Sequence, residues 1–381
     1  MSTHGPVPHM SSKALIRPLT ALRFYAAFLV FSIHASMLPG LEWLGHHGAE
    51  LQGRIGVSVF FVLSGFIMTY VYYGEDRYEA TRANAGRFIV ARLTRIFPLH
   101  ILTFFMCLPL GLNSNTARIQ VDALPQHFLL LQEFSPFGYL GNAPNKVAWT
   151  LSCEMFFYLM TPLVFTLMLR AGKNKWKLLL GIFLGIFSAA IYFHNSELVH
   201  AERAPFRFAD YVLGILAFLF YQRMKDRSEP WMKWLLPLGV LYFAGLMGLE
   251  YYRMESTPGA VSLLPGAVLV VLGTGFLRDT KNWFLASDRM VFLGEASFAL
   301  YMVHEMILRY GRVVLTKFGF EIHWALYIPW LLLVFTVIQL VAIQFHLRFE
   351  VPLQDKGRRW LNRLLRIEKV KPAAASAVPR P

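Results

Sequence analysis

The sequence predicts an all-α fold, a polytopic integral membrane helix bundle of about ten transmembrane helices with both termini cytoplasmic. Of the 381 residues, 56% are hydrophobic and only 16% are charged, whereas soluble domains are about 25% charged. Apolar runs recur at close to the ~20 residues that a spanning helix needs. The basic residues between these runs gather on alternate sides, which is typical of membrane proteins.

Ten apolar runs are predicted to be spanning helices. The loop at 113–146 is the longest outside segment. It carries few charges and several aromatic residues, so we expect it to pack over the bundle. In chain order, the ten runs cover residues 18–38, 55–74, 96–112, 147–169, 178–194, 208–222, 234–249, 259–277, 290–308 and 324–346.

The basic residues between the runs support this topology. With the N-terminus placed inside, only nine of the 37 Lys and Arg residues lie in outside segments. An incorrect number of helices would disturb this alternation, because positive residues concentrate on the cytoplasmic side. The net charge of +14 therefore follows membrane topology, and a nucleic-acid partner is not expected.

After the tenth run, residues 355–367 read DKGRRWLNRLLRI. Helical spacing predicts a basic amphipathic cytoplasmic helix, in which Trp360 and the leucines face lipid and the arginines meet anionic headgroups. Residues 368–381 are predicted to be a disordered tail.

Arg23 and His34 are the two ionisable residues well inside the first run. At 100° per residue, the eleven-residue spacing places their side chains within roughly 20° on one face, about 16 Å apart along the axis. Ionisable groups within spanning helices are costly and usually face the bundle interior. Two simpler interpretations stay open, in which Arg23 is a snorkelling anchor and His34 is a core histidine bonded to a neighbouring helix.

Three further groups are predicted near the depth of His34. They are Glu154, Asp210 and His304. A carboxylate beside a histidine would fix its tautomer and favour general-base chemistry. The alternative is an interhelical hydrogen-bond network without a catalytic role. Glu305 is expected nearer the surface and solvated.

Arg92 and Arg95 lie at the cytoplasmic start of the third run, three residues apart and so on one helical side. Paired guanidinium groups bind phosphate through forked hydrogen bonds. A phosphate-bearing donor from the cytoplasm could dock there, although the positive-inside rule alone would also explain both residues. Neither cysteine, Cys107 or Cys153, has metal-ligand spacing, and no metal site is expected.

Seven segments in register carry a family resemblance. Together they resemble the acyltransferase-3 family of membrane acyltransferases over roughly residues 15–355. They read LRFYAAFLVFSIHAS (22–36), GVSVFFVLSGF (56–66), ARLTRIFP (91–98), WTLSCEMFFYLMTPL (149–163), RFADYVLGILA (207–217), LGEASFALYMVHEMIL (293–308) and FEVP (349–352).

The resemblance implies a membrane acyltransferase domain over residues 1–354, in the cell (inner or plasma) membrane. It implies no bound cofactor, acetyl-CoA or another acyl-CoA as donor, and a glycan or lipid-linked sugar as acceptor. Small residues of the S-G-F motif would let helices approach closely. By position, His34 matches the essential histidine, Arg23 its partner, Arg92 and Arg95 the donor-associated RxxR pair, and Glu154, Ser64, Gly65, His304 and Glu350 further motif positions.

Other functions stay open from the sequence. The acceptor could be a small secondary metabolite such as a macrolide, or the acyl group could be succinyl. A proton-coupled transporter would also place His, Glu and Asp at the midplane. A non-catalytic module that binds a glycan lipid is the third class. Base catalysis by His34 and an acyl-enzyme formed on it both fit the residues.

Overall fold

A computed structural model describes residues 16–45, 49–73, 79–112, 121–135, 143–193, 203–227, 229–253, 260–277 and 284–365. Within these ranges the chain is all-α, as predicted, and no strand occurs. The α-helices of the described parts are α1 Arg17–Ala35, α2 Ala49–Met68, α3 Arg82–Leu112, α4 Leu124–Phe128, α5 Trp149–Ala171, α6 Lys175–Tyr192, α7 Ala204–Met224, α8 Leu235–Arg253, α9 Ala260–Phe276, α10 Asp288–Glu295, α11 Ser297–Lys317, α12 Tyr327–Phe345 and α13 Val351–Leu364.

Where the structure describes them, the ten predicted runs are largely helical, and the ninth, 290–308, is divided between α10 and α11. Seven helical runs among the described residues are long and apolar enough to cross a membrane, and an eighth is reached if α10 and α11 form one bent span. The helix α9 is apolar but shorter. The number of ten crossings and the orientation of the termini stay predictions.

One of the seven runs, Lys146–Tyr192, contains two antiparallel helices. Its 47 residues would extend about 70 Å as one straight helix. Yet Phe157 of α5 contacts Phe208, with ring centroids 5.8 Å apart, and Phe193, directly after α6, contacts Phe206 at 6.3 Å. Because both contacts fall on the first turns of α7, the chain must reverse between them. The reversal occurs at Gly172, whose φ is +51°.

Burial follows the expectation for a bundle in lipid. The helix α1 lies at the centre, in contact with α2, α9, α10 and α11, and its Ala27 and Phe31 are fully buried. By contrast, Leu332 and Leu340 of α12 are 60% and 58% exposed. Apolar side chains outside the core are stable only if lipid covers them, so α12 forms part of the membrane-facing surface.

The helices α2 and α7 cross in backbone contact at Gly65 and Gly214. A Cβ atom on Gly65 would lie 2.0 Å from the carbonyl oxygen of Tyr211, and one on Gly214 would lie 2.0 Å from that of Val62. Small residues at both positions therefore permit backbone contact. The structure confirms the close approach predicted at Gly65.

The segment after α3, predicted to be outside, packs on the bundle where it is described. In residues 121–135, Leu130 and His127 are buried. The Ser152 hydroxyl of α5 donates to the Leu130 carbonyl at 2.7 Å and accepts from the Glu133 amide at 3.0 Å. Arg203 pairs with the Glu133 carboxylate at 2.7 Å. These contacts agree with the predicted cover over the bundle.

Candidate active site

Arg23 and His34 lie on the single uninterrupted helix α1. Their predicted spacing therefore holds, with a rise of about 16 Å and nearly the same direction around the axis. Both side chains are half-buried inside the bundle. The two residues mark the ends of one candidate site, named the inner end (Arg23) and the outer end (His34) after the predicted topology.

At the outer end, His34 contacts His304 of α11. Nδ1 of His34 lies 3.1 Å from Nε2 of His304, and the ring centroids are 5.1 Å apart. His304 is fully buried, whereas His34 is half-buried. The two histidines predicted at similar depth are therefore brought together.

Backbone carbonyls determine the tautomers of this pair. Nδ1 of each histidine faces the carbonyl four residues earlier, at 2.9 Å from Val30 for His34 and 3.0 Å from Leu300 for His304. Since a carbonyl only accepts hydrogen bonds, each Nδ1 carries the hydrogen in the neutral pair. The single hydrogen on Nδ1 of His34 is then shared between the Val30 carbonyl and Nε2 of His304. Nε2 of His34 is left without a proton, as a base or nucleophile requires.

Aromatic rings and one cation surround the histidine pair. The rings of Phe31 and Tyr301 approach His304 edge-on, with centroids 6.4 and 5.8 Å away. The Thr150 hydroxyl, at the start of α5, donates to the Tyr301 hydroxyl at 2.8 Å. Lys146 is close enough to His34 to interact with it electrostatically. The pair is thus rigidly packed and mostly shielded from water.

At the inner end, Arg92 is held by aromatic residues. Its guanidinium donates to the Tyr72 hydroxyl at 3.1 Å and to the Met68 sulfur at 3.6 Å. It also lies over the rings of Tyr72 and Tyr158, 5.6 and 5.9 Å from their centroids. These neighbours fix the guanidinium without neutralising it.

Arg95, one turn along, is held by the segment after α12. Its Nη1 lies 3.2 Å from Oε1 of Glu350 and 3.3 Å from Oε1 of Gln354. The other carboxylate oxygen of Glu350 lies 2.8 Å from Nδ1 of His346. The acidic residue of the FEVP segment therefore supports one arginine of the RxxR pair.

Glu154 belongs to this inner set and does not orient His34. Its Oε2 accepts from the Tyr158 hydroxyl at 3.2 Å, and it interacts electrostatically with Arg23, Arg92 and Arg95. Within the described structure, His34 forms its side-chain hydrogen bond with His304 and none with Glu154. Glu154 was predicted near the depth of His34, but its carboxylate lies with the arginines of the inner set.

Arg23 faces the same inner set. Its guanidinium interacts electrostatically with Arg95, Glu154 and Glu350. In the described part of the chain it makes no direct hydrogen bond or ion pair. A half-buried cation inside a bundle is costly unless a charged ligand completes its surroundings.

Two other predicted residues take different positions. Asp210 pairs with Arg207 on its own helix at 2.9 Å, and Arg207 also donates to the Ser58 hydroxyl at 3.0 Å. Asp210 therefore stabilises the contact between α7 and α2, away from the histidine pair. Ser64 lies beside Tyr158 and so borders the inner set.

The expectation for Glu305 is wrong. Its side chain is fully buried rather than solvated, and it pairs with Arg309 of the same helix at 3.5 Å. Arg309 also donates to the Pro144 carbonyl at 2.8 Å. The segment before α5 covers this part of α11. The position of Glu305 along its own helix could not indicate this cover.

Sequence reasoning missed three functional neighbours, namely Tyr72, Tyr158 and His346. Two had a signal. Tyr158 follows Glu154 by four residues, and His346 precedes Glu350 by four, so helical spacing puts each pair side by side. Tyr72 had none, because its contact with Arg92 joins two different helices.

Comparison with known proteins supports an acyl-transfer assignment. The acyltransferase-3 family model, described as an acyltransferase domain, matches residues 17–344. "Acyltransferase MdmB" of Streptomyces mycarofaciens is 30% identical over 342 residues, covering 81% of this chain and 83% of that protein. "Putative acetyltransferase ORF330" of Acidianus two-tailed virus is 25% identical over 288 residues, covering 73% and 80%.

"O-acetyltransferase OatA" of Staphylococcus aureus (strain NCTC 8325 / PS 47) is 25% identical over 323 residues. The match covers 78% of this chain and 51% of OatA, so the chain spans about half the length of that relative. No solved structure matches the chain.

Proposed function

Because the chain belongs to the acyltransferase-3 family, whose model matches residues 17–344, we propose that it transfers acetyl from acetyl-CoA to a sugar hydroxyl. The acceptor is a lipid-linked or exported glycan, reached from the outer side of the cell membrane. The donor enters from the cytoplasmic side. Two of the relatives carry acetyltransferase in their names, which supports acetyl as the group transferred.

The histidine pair is the observation that carries this proposal. Nε2 of His34 is the unprotonated nitrogen, and His304 holds the ring through Nδ1. In the proposed step, Nε2 takes the proton of the acceptor hydroxyl while that oxygen attacks the thioester carbonyl carbon. The carbon–sulfur bond breaks, and the thiolate of coenzyme A receives the proton from the imidazolium.

The inner set provides the donor site in this proposal. Arg92 and Arg95 bind the phosphates of coenzyme A through charge-assisted hydrogen bonds. Arg23, which faces them without a direct partner in the described structure, completes the phosphate site. The rise of α1 between Arg23 and His34 is about 16 Å, at about 1.5 Å per residue. An extended pantetheine arm covers a distance of this order.

The same nitrogen of His34 could also form an acetyl-imidazole intermediate. The experiment that separates the two routes is rapid quenching of the protein with labelled acetyl-CoA in the absence of acceptor. Direct transfer, which we propose, leaves no label on the protein. Label that is retained on wild type and lost in His34→Gln would establish the covalent route.

The overall activity is tested with purified protein in lipid vesicles. Labelled acetyl-CoA and an envelope glycan fraction should yield free coenzyme A and labelled glycan. A transporter would consume no acetyl-CoA. Mass spectrometry of surface glycan from cells with and without the protein identifies the acceptor. Activity only toward a small metabolite would overturn the glycan assignment, and no consumption of acetyl-CoA would overturn the function.

A further inference from the structure

The C-terminal helix α13 connects the donor arginines to the membrane surface. It follows the lipid-facing helix α12 after a single π-helical turn, His346–Glu350, and packs along the first part of α3. Gly357 of α13 faces Thr94, since a Cβ atom on the glycine would lie 3.5 Å from the threonine methyl group. Thr94 directly precedes Arg95.

Two side chains of this segment hold Arg95. Gln354 accepts from its guanidinium at 3.3 Å, and the buried Glu350 pairs with it at 3.2 Å. Any displacement of α13 from α3 would therefore remove at least one partner of Arg95. The position of a donor-site arginine depends on where α13 lies.

An exposed apolar stripe runs along α13 beside the side that packs on α3, about 100° around the axis from Gln354. Leu353, Trp360 and Leu364 are 38%, 62% and 61% exposed. At 100° per residue they project within about 40° of one another. Tryptophan and leucine aligned in this way are typical of a helix at a membrane interface.

Exposed cations flank the stripe on one side. Lys356, Arg359 and Arg363 are all exposed and project about 60–120° from Leu353. Asp355 is the one acidic residue of α13. The combination of an apolar stripe and adjacent positive charges complements an anionic lipid surface, where each Lys or Arg contributes about a fivefold gain in binding.

The neighbouring bilayer is the apolar phase available to this stripe. The last turns of α12 and the π-turn after it expose Leu340 and Leu347, at 58% and 50%, so lipid covers the surface that leads into α13. The helix α13 continues this surface directly. Its cations then lie beside the lipid headgroups.

We propose that α13 binds anionic lipid headgroups and that this contact keeps Gln354 and Glu350 against Arg95. Anionic lipid would thus be an activator of donor binding. The inference rests on the proposed function for its kinetic part, in which Arg95 binds the donor. The binding of α13 to lipid is independent of that function.

The kinetic test uses the full protein in vesicles of neutral phosphatidylcholine, or of phosphatidylcholine with phosphatidylglycerol. Coenzyme A is an anion, so surface charge alone would repel it and raise the donor KM in the anionic vesicles. The proposal predicts the opposite, a donor KM that falls about fivefold. A donor KM that rises or stays constant would overturn it.

A matched pair of variants assigns the effect to α13. Arg359→Gln with Arg363→Gln should retain, in anionic vesicles, the donor KM of wild type in neutral vesicles. The control variant, Arg312→Gln with Lys317→Gln, removes two exposed cations from the C-terminal part of α11. Its donor KM should respond to anionic lipid as that of wild type does. Equal responses of the two variants would show that general charge, and not α13, determines the result.

A labelling test needs no activity. Cysteine placed by Trp360→Cys should react more slowly with a membrane-impermeant maleimide in anionic than in neutral vesicles. Asp355→Cys, on the other side of α13, should react equally in both, and the native Cys107 and Cys153 are buried. Equal rates at position 360 would overturn lipid binding. Wild type with no turnover but slowed labelling would instead reject only the proposed function.

Discussion

At the inner end of α1, Arg23 faces Arg95 and two carboxylates, Glu154 and Glu350. At the outer end, His34 contacts one other histidine, and carbonyl oxygens of the two helices hold both rings. The inner end is a network of formal charges on four helical segments. The outer end is a pair of imidazoles whose Nδ1 atoms face backbone carbonyls, so both are assigned as neutral Nδ1–H tautomers.

The difference indicates a division of labour along one helix. Fixed cations suit the binding of a multiply charged ligand, whose affinity depends on charge and forked geometry. A neutral imidazole with one unprotonated nitrogen suits proton transfer, which depends on the tautomer. Substitutions at the inner end should therefore raise the donor KM, and those at the outer end should lower kcat.

The largest effect is expected for His34→Ala. Removing a general base lowers kcat by about 10²–10⁴-fold, and the donor KM should stay within about twofold because the arginines are unchanged. Initial rates with labelled acetyl-CoA measure both quantities. Wild-type turnover in a folded His34→Ala protein would remove this residue from the chemistry.

Arg92→Ala with Arg95→Ala tests the inner end. Each hydrogen bond to a charged group contributes about 1.5–3 kcal/mol, so the donor KM should rise at least about a hundredfold while the acceptor KM stays constant. Arg92→Lys with Arg95→Lys is the matched control, which keeps charge but loses the forked geometry and should fall between. If the double alanine variant changed only in kcat, the assignment of donor binding to the inner end would be contradicted.

His304 is proposed as a positioning residue, and its loss should cost less than that of His34. In His304→Leu the Nδ1 hydrogen of His34 keeps only the Val30 carbonyl of its own helix, and kcat should fall about 10–100-fold, as for residues that orient metal-bound histidines. His304→Gln retains an acceptor and should recover part of the rate. Equal rates for the leucine and glutamine variants would show that His304 has only a packing role.

The site was predictable where it lies within one helix. The common face of Arg23 and His34, and the one-turn spacing of Arg92 and Arg95, follow from helical geometry. Depth along a span also placed His304 near His34. Rotation about a helix axis is not encoded locally, because it depends on packing against other helices. The contacts of Glu154, predicted near the depth of His34, could therefore not be predicted, and its carboxylate lies with the arginines.

The same limit applies to the fold. Apolar runs predicted the helices, but the bend of 59° between α10 and α11 has a tertiary cause. A Cβ atom on Gly294 would lie 2.0 Å from the Thr20 carbonyl, so α10 packs directly on the backbone of α1. Gly214, which completes the crossing predicted at Gly65, likewise had no partner that could be inferred from the sequence.

The smallest expected effect, that of Glu350→Gln, gives the sharpest test of the comparison. The amide can still contact Arg95 and His346, but the negative charge that holds Arg95 is lost, so the donor KM should rise about threefold to tenfold with kcat unchanged. Glu305→Gln is the matched control. Glu305 is equally buried and paired with an arginine, but it lies beside the outer histidine and should leave the donor KM constant. If both substitutions raised the donor KM equally, buried carboxylates would matter for stability alone, and the inner end would lose its special relation to the donor.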